Sequence, residues 1–432
     1  MLNARAVQGS WRRLRWAADG VLIAILMVIP WIRIGDEPLV LLDIPARKFH
    51  IFGLVIFPEE LFFLWLILAG LALSLFFFTA LVGRVWCGWA CPQTVFTDVF
   101  AGVARRVQGW KGSRPPRRVA AWRIAATHAV WLLLCAVIGF HLVAYFRTPR
   151  ALLSEIASGT LSRTSAGFLV VATALAYADF VWIKQTFCKF LCPYARFQGV
   201  LFDRDTLVVG YDAARGEPRG KAGRAAGDCV DCRLCVQVCP TGIDIREGLQ
   251  LECITCTQCI DACNGVMAKL GRAPNLIGYG SLVAFERVRK ARLLRPRVVV
   301  YAALLAVVAV TFTVMVARRL PMDLQVAHNT ASLYTKTADG RVGNAYTLHI
   351  QNRERGPHLY RIRLEESDRF DLVTGVNPVA VPPISTAESR VFVLAKQDDD
   401  ERGSSEIRFV LEQIDDAKHR VVRRARFIEP GG

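Results

Sequence analysis

The chain has 432 residues, with 54 Lys and Arg against 37 Asp and Glu for a formal charge of +17, yet 53% of it is hydrophobic. Its mean hydropathy is +0.31. Basicity of this size suits nucleic acid or an anionic membrane surface, but the Arg and Lys residues gather at the ends of apolar runs, so the pattern points to a membrane and excludes a nucleic-acid module. The length suggests two or three domains.

Five runs approach the roughly 20 residues needed to cross a hydrocarbon core: 17–34, 61–83, 122–146, 165–183 and 298–317. The first has the form of a signal peptide, but no small-x-small cleavage site comes after it, so it reads as an anchor. Arg5, Arg12, Arg13 and Arg15 precede it, and Arg84, Arg105, Arg106, Lys111, Arg114, Arg117 and Arg118 fill the loop after the second run. The other two loops, 35–60 and 147–164, are poor in such charge. The positive-inside rule then puts the N-terminus in the cytoplasm of a bacterial inner membrane, and an odd number of spans puts the C-terminus in the periplasm.

Between the first two spans, the apolar stretch 49–58 is expected to lie along the outer membrane face. His50 within it reads as structural. The second span runs into Cys87-Gly-Trp-Ala-Cys91-Pro92 and the fourth into Cys188-Lys-Phe-Leu-Cys192-Pro193, an internal repeat of C-x-x-x-C-P. Thiols at i and i+4 share a helix face, and each proline puts the preceding cysteine at a break or a new helix start. Four thiols at one membrane depth form a soft-ligand set suited to Cu(I), zinc or iron–sulfur centres. Val95, Phe96, Val99, Phe100, Val103 and Val107 recur at helical spacing, which predicts a helix lying in the membrane interface.

Inside the third span, Cys135 reads as packing. His128 and His141, thirteen residues apart, do not share a face of one helix. Asp179 in the fourth span is expected either to pair with Lys184 or Lys189 or to take part in proton or cation movement.

Residues 210–228, rich in Gly, Arg and Ala, read as a flexible approach to a cysteine-rich stretch. In that stretch Cys229, Cys232, Cys235 and Cys239 are spaced C-x2-C-x2-C-x3-C, and Cys253, Cys256, Cys259 and Cys263 repeat the spacing with Asn264 where the first run has Pro240. This is the run of bacterial two-cluster ferredoxins, in which the fourth cysteine ligates the other cluster. Carried over, one [4Fe–4S] cluster takes Cys229, Cys232, Cys235 and Cys263, and a second takes Cys253, Cys256, Cys259 and Cys239. Zinc ligands come in more widely separated pairs, and disulfides suit small secreted domains. No haem-attachment, flavin or nicotinamide fingerprint accompanies the runs.

Beyond residue 317 the pattern changes to period two. Tyr346, Leu348 and Ile350, then Tyr360, Ile362 and Leu364, then Ile407, Phe409 and Leu411 alternate with polar residues, which predicts antiparallel strands of an immunoglobulin-like sandwich. The expected domains are therefore a membrane domain (1–209), a cytoplasmic two-[4Fe–4S] insert (210–285), a fifth membrane helix (286–320) and a periplasmic β-domain (321–432).

These elements in this order resemble the FixG/RdxA family, also called CcoG, of cytochrome c oxidase accessory proteins. The resemblance is carried by Pro45-Ala-Arg-Lys-Phe-His50, by the segment from Gly83 to Thr94, by the second C-x-x-x-C-P, by the double ferredoxin run and by the terminal sandwich. It implies a cupric reductase, converting Cu(II) to Cu(I), that serves assembly of the cbb-type oxidase together with a copper transporter or chaperone and other assembly factors. Copper would then be handled at Cys87, Cys91, Cys188 and Cys192, with an electron donor that the residues do not name. Two alternatives stay open: an electron-transfer subunit resembling NapH and NosR that passes quinol electrons to a partner, and an assembly scaffold with structural clusters.

Overall fold

The structure is a computed structural model that describes residues 4–110, 116, 118–220, 227–329, 332–396, 404–416 and 419–429. Lys111, Arg114 and Arg117 of the basic loop, and 221–226 of the Gly-rich segment, lie outside the described residues. Two compact units divide the chain after Phe312.

In the first unit, four helices long and apolar enough to cross a membrane span Ser10–Trp31, Pro58–Val82, Ala121–Ala144 and Arg163–Ile183; a fifth, Pro296–Ala317, runs across the division. Their apolar surfaces are largely exposed, as lipid-facing surfaces are when no lipid is present. The first helix starts at Ser10 rather than at 17, because Arg12 and Arg15, two of the charges that interrupt its hydropathy, are buried and paired. Arg12 and Arg15 close on Asp98 at 2.8 and 2.6 Å.

Helix Pro92–Val107 does not lie free in an interface. Phe96 and Phe100 pack on Phe180, and Phe100 stacks on Trp131. Its polar side is buried as well, at Gln93, Thr97 and Asp98, because the arginines of the first helix reach it from the other side. The stretch 49–58 is folded into a small sheet. Lys48–Ile51 and Leu54–Ile56 form a hairpin that Val40–Asp43 extends to three strands, burying Val55, Ile56 and Phe57. His50 is buried there with Nδ1 3.2 Å from the Glu37 carboxylate, a structural role.

The ferredoxin-type insert is entered through a strand, which takes up the first two residues of the Gly-rich segment. Val208–Tyr211 pairs antiparallel with Ile277–Gly280, so the segments before and after the cysteine runs clasp each other. Ala213–Gly216 then adds one helical turn capped by Asp212.

In the second unit, one sheet is ordered Phe370–Thr374, Ser385–Ala395, Val342–Asn352, Met322–His328, and the other Val379–Val381, His358–Leu364, Ser404–Gln413, Arg420–Ile428. All nine of the alternating residues, from Tyr346 to Leu411, are buried between the sheets. The fold is therefore immunoglobulin-like, with Tyr346 on Phe409 at its centre.

Candidate metal and electron-transfer centre

Both cysteine runs fold alike. Around the middle cysteine of each, the neighbouring residues take left-handed backbone conformations: Asp231 and Arg233 about Cys232, Thr255 and Thr257 about Cys256, all with φ between 50° and 62°. Such a conformation is costly for a β-branched threonine. It coils the loop inward and turns successive amides into a concavity that receives negative charge.

The last two cysteines of the second run lie on helix Gln258–Lys269, four residues and thus about 6 Å apart along its axis. That rise separates two small cavities. One is lined by Cys229, Cys232, Cys235 and Cys263. The other is lined by Cys239, Cys253, Cys256 and Cys259, with Cys235 at the border of both. Thiols spread around voids with otherwise apolar walls fit cubane clusters. Burial pushes the Cys235 thiol up to about 11 and those of Cys253 and Cys263 up to about 12. Loading must therefore displace protons.

The two C-x-x-x-C-P segments also repeat in three dimensions. Gly83 and Lys184, each four residues before the first cysteine of its pair, break the preceding helix with matching backbone angles, φ 61° and ψ −135° against φ 50° and ψ −132°. Cys91 and Cys192 are extended N-caps, and Pro92 and Pro193 open the next helices. Cys87 sits in a helical turn, Val85–Trp89, whereas Cys188 sits in a π-helical turn, Phe187–Leu191, a geometry often found at functional sites. The four thiols lie within electrostatic reach of one another, and burial pushes Cys188 up to about 12.

Two polar residues of this site carry no signal in the sequence. Arg84 is 3% exposed, and its guanidinium donates to Gln198 Oε1 at 2.5 Å, to the Leu251 carbonyl and to the Ala195 carbonyl. All three partners are neutral. The Cys87 thiol donates to the same Gln198 Oε1 at 3.5 Å, while Gln198 Nε2 is buried without an acceptor. A buried cation beside four thiols forms a setting prepared for thiolate charge.

The thiol quartet touches the second ferredoxin run. Cys87, Ile254 and Cys256 form one buried cluster with Tyr194 packed on it. A Cβ on Gly88 would stand 2.2 Å from the Ile254 carbonyl oxygen, so only glycine permits the approach. Trp89 Nε1 and the Tyr279 hydroxyl both donate to the Thr255 carbonyl, at 3.1 and 3.2 Å, and Trp11 packs on both rings. The N-terminus is tied in by Asp261, which accepts from the amides of Trp11 and Arg12 at 3.3 and 2.7 Å. Asp261 thereby caps a helix some 250 residues away in sequence.

The other candidates stand apart. Cys135 is fully buried in packing with Phe100, Trp131 and Phe180. His128 Nδ1 lies 2.7 Å from the Tyr177 hydroxyl, and His141 accepts from Trp31 Nε1 at 3.4 Å, so the two share no site. Asp179 accepts from Gln93 Nε2 at 3.1 Å, and Lys184 Nζ lies over the Trp131 ring instead of pairing with it.

The protein RdxA of Cereibacter sphaeroides is 35% identical over 428 residues, spanning 92% of this chain and 89% of its own. Nitrogen fixation protein FixG of Rhizobium meliloti is 34% identical over 397 residues, spanning 81% and 76%. RdxB of C. sphaeroides is 35% identical, spanning 90% and 88%.

The chain belongs to the FixG/RdxA family.

A family model of the immunoglobulin-like fold at the C-terminus of FixG matches residues 312–430. A 4Fe–4S dicluster model matches 183–225 and 219–282, and a 4Fe–4S binding model matches 61–111. This FixG/RdxA protein is thus a membrane-associated 4Fe–4S electron-transfer protein. The iron–sulfur models extend over Cys87 and Cys91, and over Cys188 and Cys192, as well as over the ferredoxin runs.

Proposed function

We propose that this protein is a cupric reductase that passes single electrons from two [4Fe–4S] clusters to copper at the Cys87, Cys91, Cys188 and Cys192 quartet, for assembly of a cbb-type oxidase. Cys229, Cys232, Cys235 and Cys263 would hold one cluster, and Cys239, Cys253, Cys256 and Cys259 the other. Bound there, the clusters supply one-electron storage and transfer. The residues of the chain do the rest. Gly88 lets the quartet approach the second run, Arg84 offsets thiolate charge, and the thiols present soft donors that favour Cu(I) over Cu(II).

One observation carries this reading: Cys87 packs directly on Cys256 and Ile254, so the second run stands next to the quartet. The Lys and Arg distribution supports an inner-membrane protein with its N-terminus and clusters cytoplasmic and its β-domain periplasmic. A copper transporter or chaperone and oxidase assembly factors would be the partners.

The test replaces Cys87, Cys91, Cys188 and Cys192 with serine. Cluster spectra should persist while Cu(I) retention and Cu(II) reduction are lost, because a hydroxyl is a harder ligand. Unchanged copper behaviour would overturn the assignment. A second reading is favoured by the iron–sulfur family models over both C-x-x-x-C-P segments: the quartet holds a third iron–sulfur centre. Iron content separates them, at about eight per chain for two cubane clusters and about twelve for three.

A further inference from the structure

A cavity of about 260 Å³ in the first unit lies between the membrane helices and the cysteine runs, with Lys189, the neighbour of Cys188, among its lining residues. One wall is aromatic, made by Phe100, Trp131, Phe180 and Trp182. The insert contributes Thr241 and Gln258 to the lining. Gln258 adjoins Cys259 in sequence, and Thr241 Oγ1 lies 3.3 Å from Cys239 Sγ. Lys184, Lys189 and Arg105 line the polar part of the cavity, while its carboxylate, Asp98, is already held by Arg12 and Arg15.

We propose that this cavity binds the ring of a membrane-soluble hydroquinone and that electrons enter the protein here, a role that rests on the two-cluster reading of the cysteine runs. The volume falls just below the range of about 300–1,000 Å³ usual for small-molecule sites, room for one substituted ring but not for a flavin or nicotinamide dinucleotide. Flat aromatic walls suit a ring, and the lysines and glutamines offer donors to its two oxygens. Trp182 and Ile183, at the end of the fourth span, place the cavity beside a membrane helix. Oxidation of one hydroquinone to the quinone releases two electrons and two protons. The cluster that Cys239, Cys253, Cys256 and Cys259 would hold lies on this side and would take the electrons one at a time, the first passing on to the cluster of Cys229, Cys232, Cys235 and Cys263 before the second arrives, and the protons pass to water at the polar end. The same walls suit a phospholipid, which becomes an outcome of the test.

The experiment uses the full chain, purified anaerobically in detergent, with decylubiquinone and its hydroquinone as probes. Binding is read by quenching of tryptophan fluorescence, independently of any cluster, and cluster reduction by bleaching of visible absorbance. Wild type should bind the quinone saturably and be bleached by the hydroquinone. Ala101→Trp, which fills the cavity from helix Pro92–Val107, should weaken binding at least tenfold and abolish hydroquinone bleaching, while dithionite still bleaches the clusters. Lys184→Gln should weaken binding less. Absence of saturable quenching in wild type, equal binding by Ala101→Trp, or displacement of a copurified phospholipid as the sole effect of the quinone would overturn the proposal. Saturable quinone binding in protein that dithionite does not bleach would overturn the two-cluster reading, and the electron-entry role with it.

Discussion

Arg84 shows what one side chain does to the chemistry of its neighbours. Burial raises the Cys87 thiol, and the adjacent guanidinium opposes that rise. Because both Cys87 and Cys188 are shifted up, the thiols are protonated near neutral pH, and metal capture must expel protons. Apparent Cu(I) affinity should therefore climb with pH, by up to about tenfold per unit for each proton displaced. Arg84→Gln removes the opposing cation and should move that curve to higher pH by on the order of one unit, measured by competition with a Cu(I) chelator. A curve that does not move would mean that the guanidinium only braces the Leu251 carbonyl. Gly88→Ala should cost about 1–3 kcal/mol in thermal unfolding, since the new methyl meets backbone rather than a yielding side chain. It should also slow electron transfer to copper with both clusters retained. In sequence Arg84 reads as one more loop charge and Gly88 as a spacer between cysteines. Their roles depend on Gln198, Leu251 and Ile254, which no local pattern connects to them.

Among the elements, the paired runs and the helix breaks are the most legible. A three-residue gap before the last cysteine and a proline after it are covalent facts with direct geometric consequences, and Cys91 and Cys192 are helix caps for that reason. The crossed lining of the two cavities leads to a test: Cys239→Ser should damage the cluster of Cys253, Cys256 and Cys259, read by electron paramagnetic resonance. Damage limited to the cluster of Cys229, Cys232 and Cys235 would mean uncrossed ligation. Helix Pro92–Val107 misleads because its apolar stripe alone suits an interface; its polar stripe is buried by arginines that precede it by some 86 residues. Asp98→Asn would leave two buried guanidinium groups without their shared carboxylate, at a cost of about 3–5 kcal/mol in thermal or denaturant unfolding. A loss below about 1 kcal/mol would show these arginines to be solvated. The hairpin at Lys48–Ile51 and Leu54–Ile56 is hidden in the sequence because three or four residues per strand give too short a run for the period-two signal.

For the whole molecule, hydropathy and period-two alternation announce five apolar helices and a sandwich, since both patterns reflect burial summed over many residues. Sidedness rests on charge alone and has its own test. A periplasm-active reporter after residue 432 should be active, and one near Gly220 inactive. The reverse pattern would place the clusters on the far side of the membrane and remove the proposed mechanism.

The contact of Asp261 with the amides of Trp11 and Arg12 also sets a timetable for biosynthesis. At roughly 5–20 residues per second, the ribosome needs about 10–50 s to travel from one partner to the other. During that interval the first four apolar helices are made, while the beginning of the first has no cap. Four of the five apolar helices are therefore already synthesised when the second cysteine run is completed.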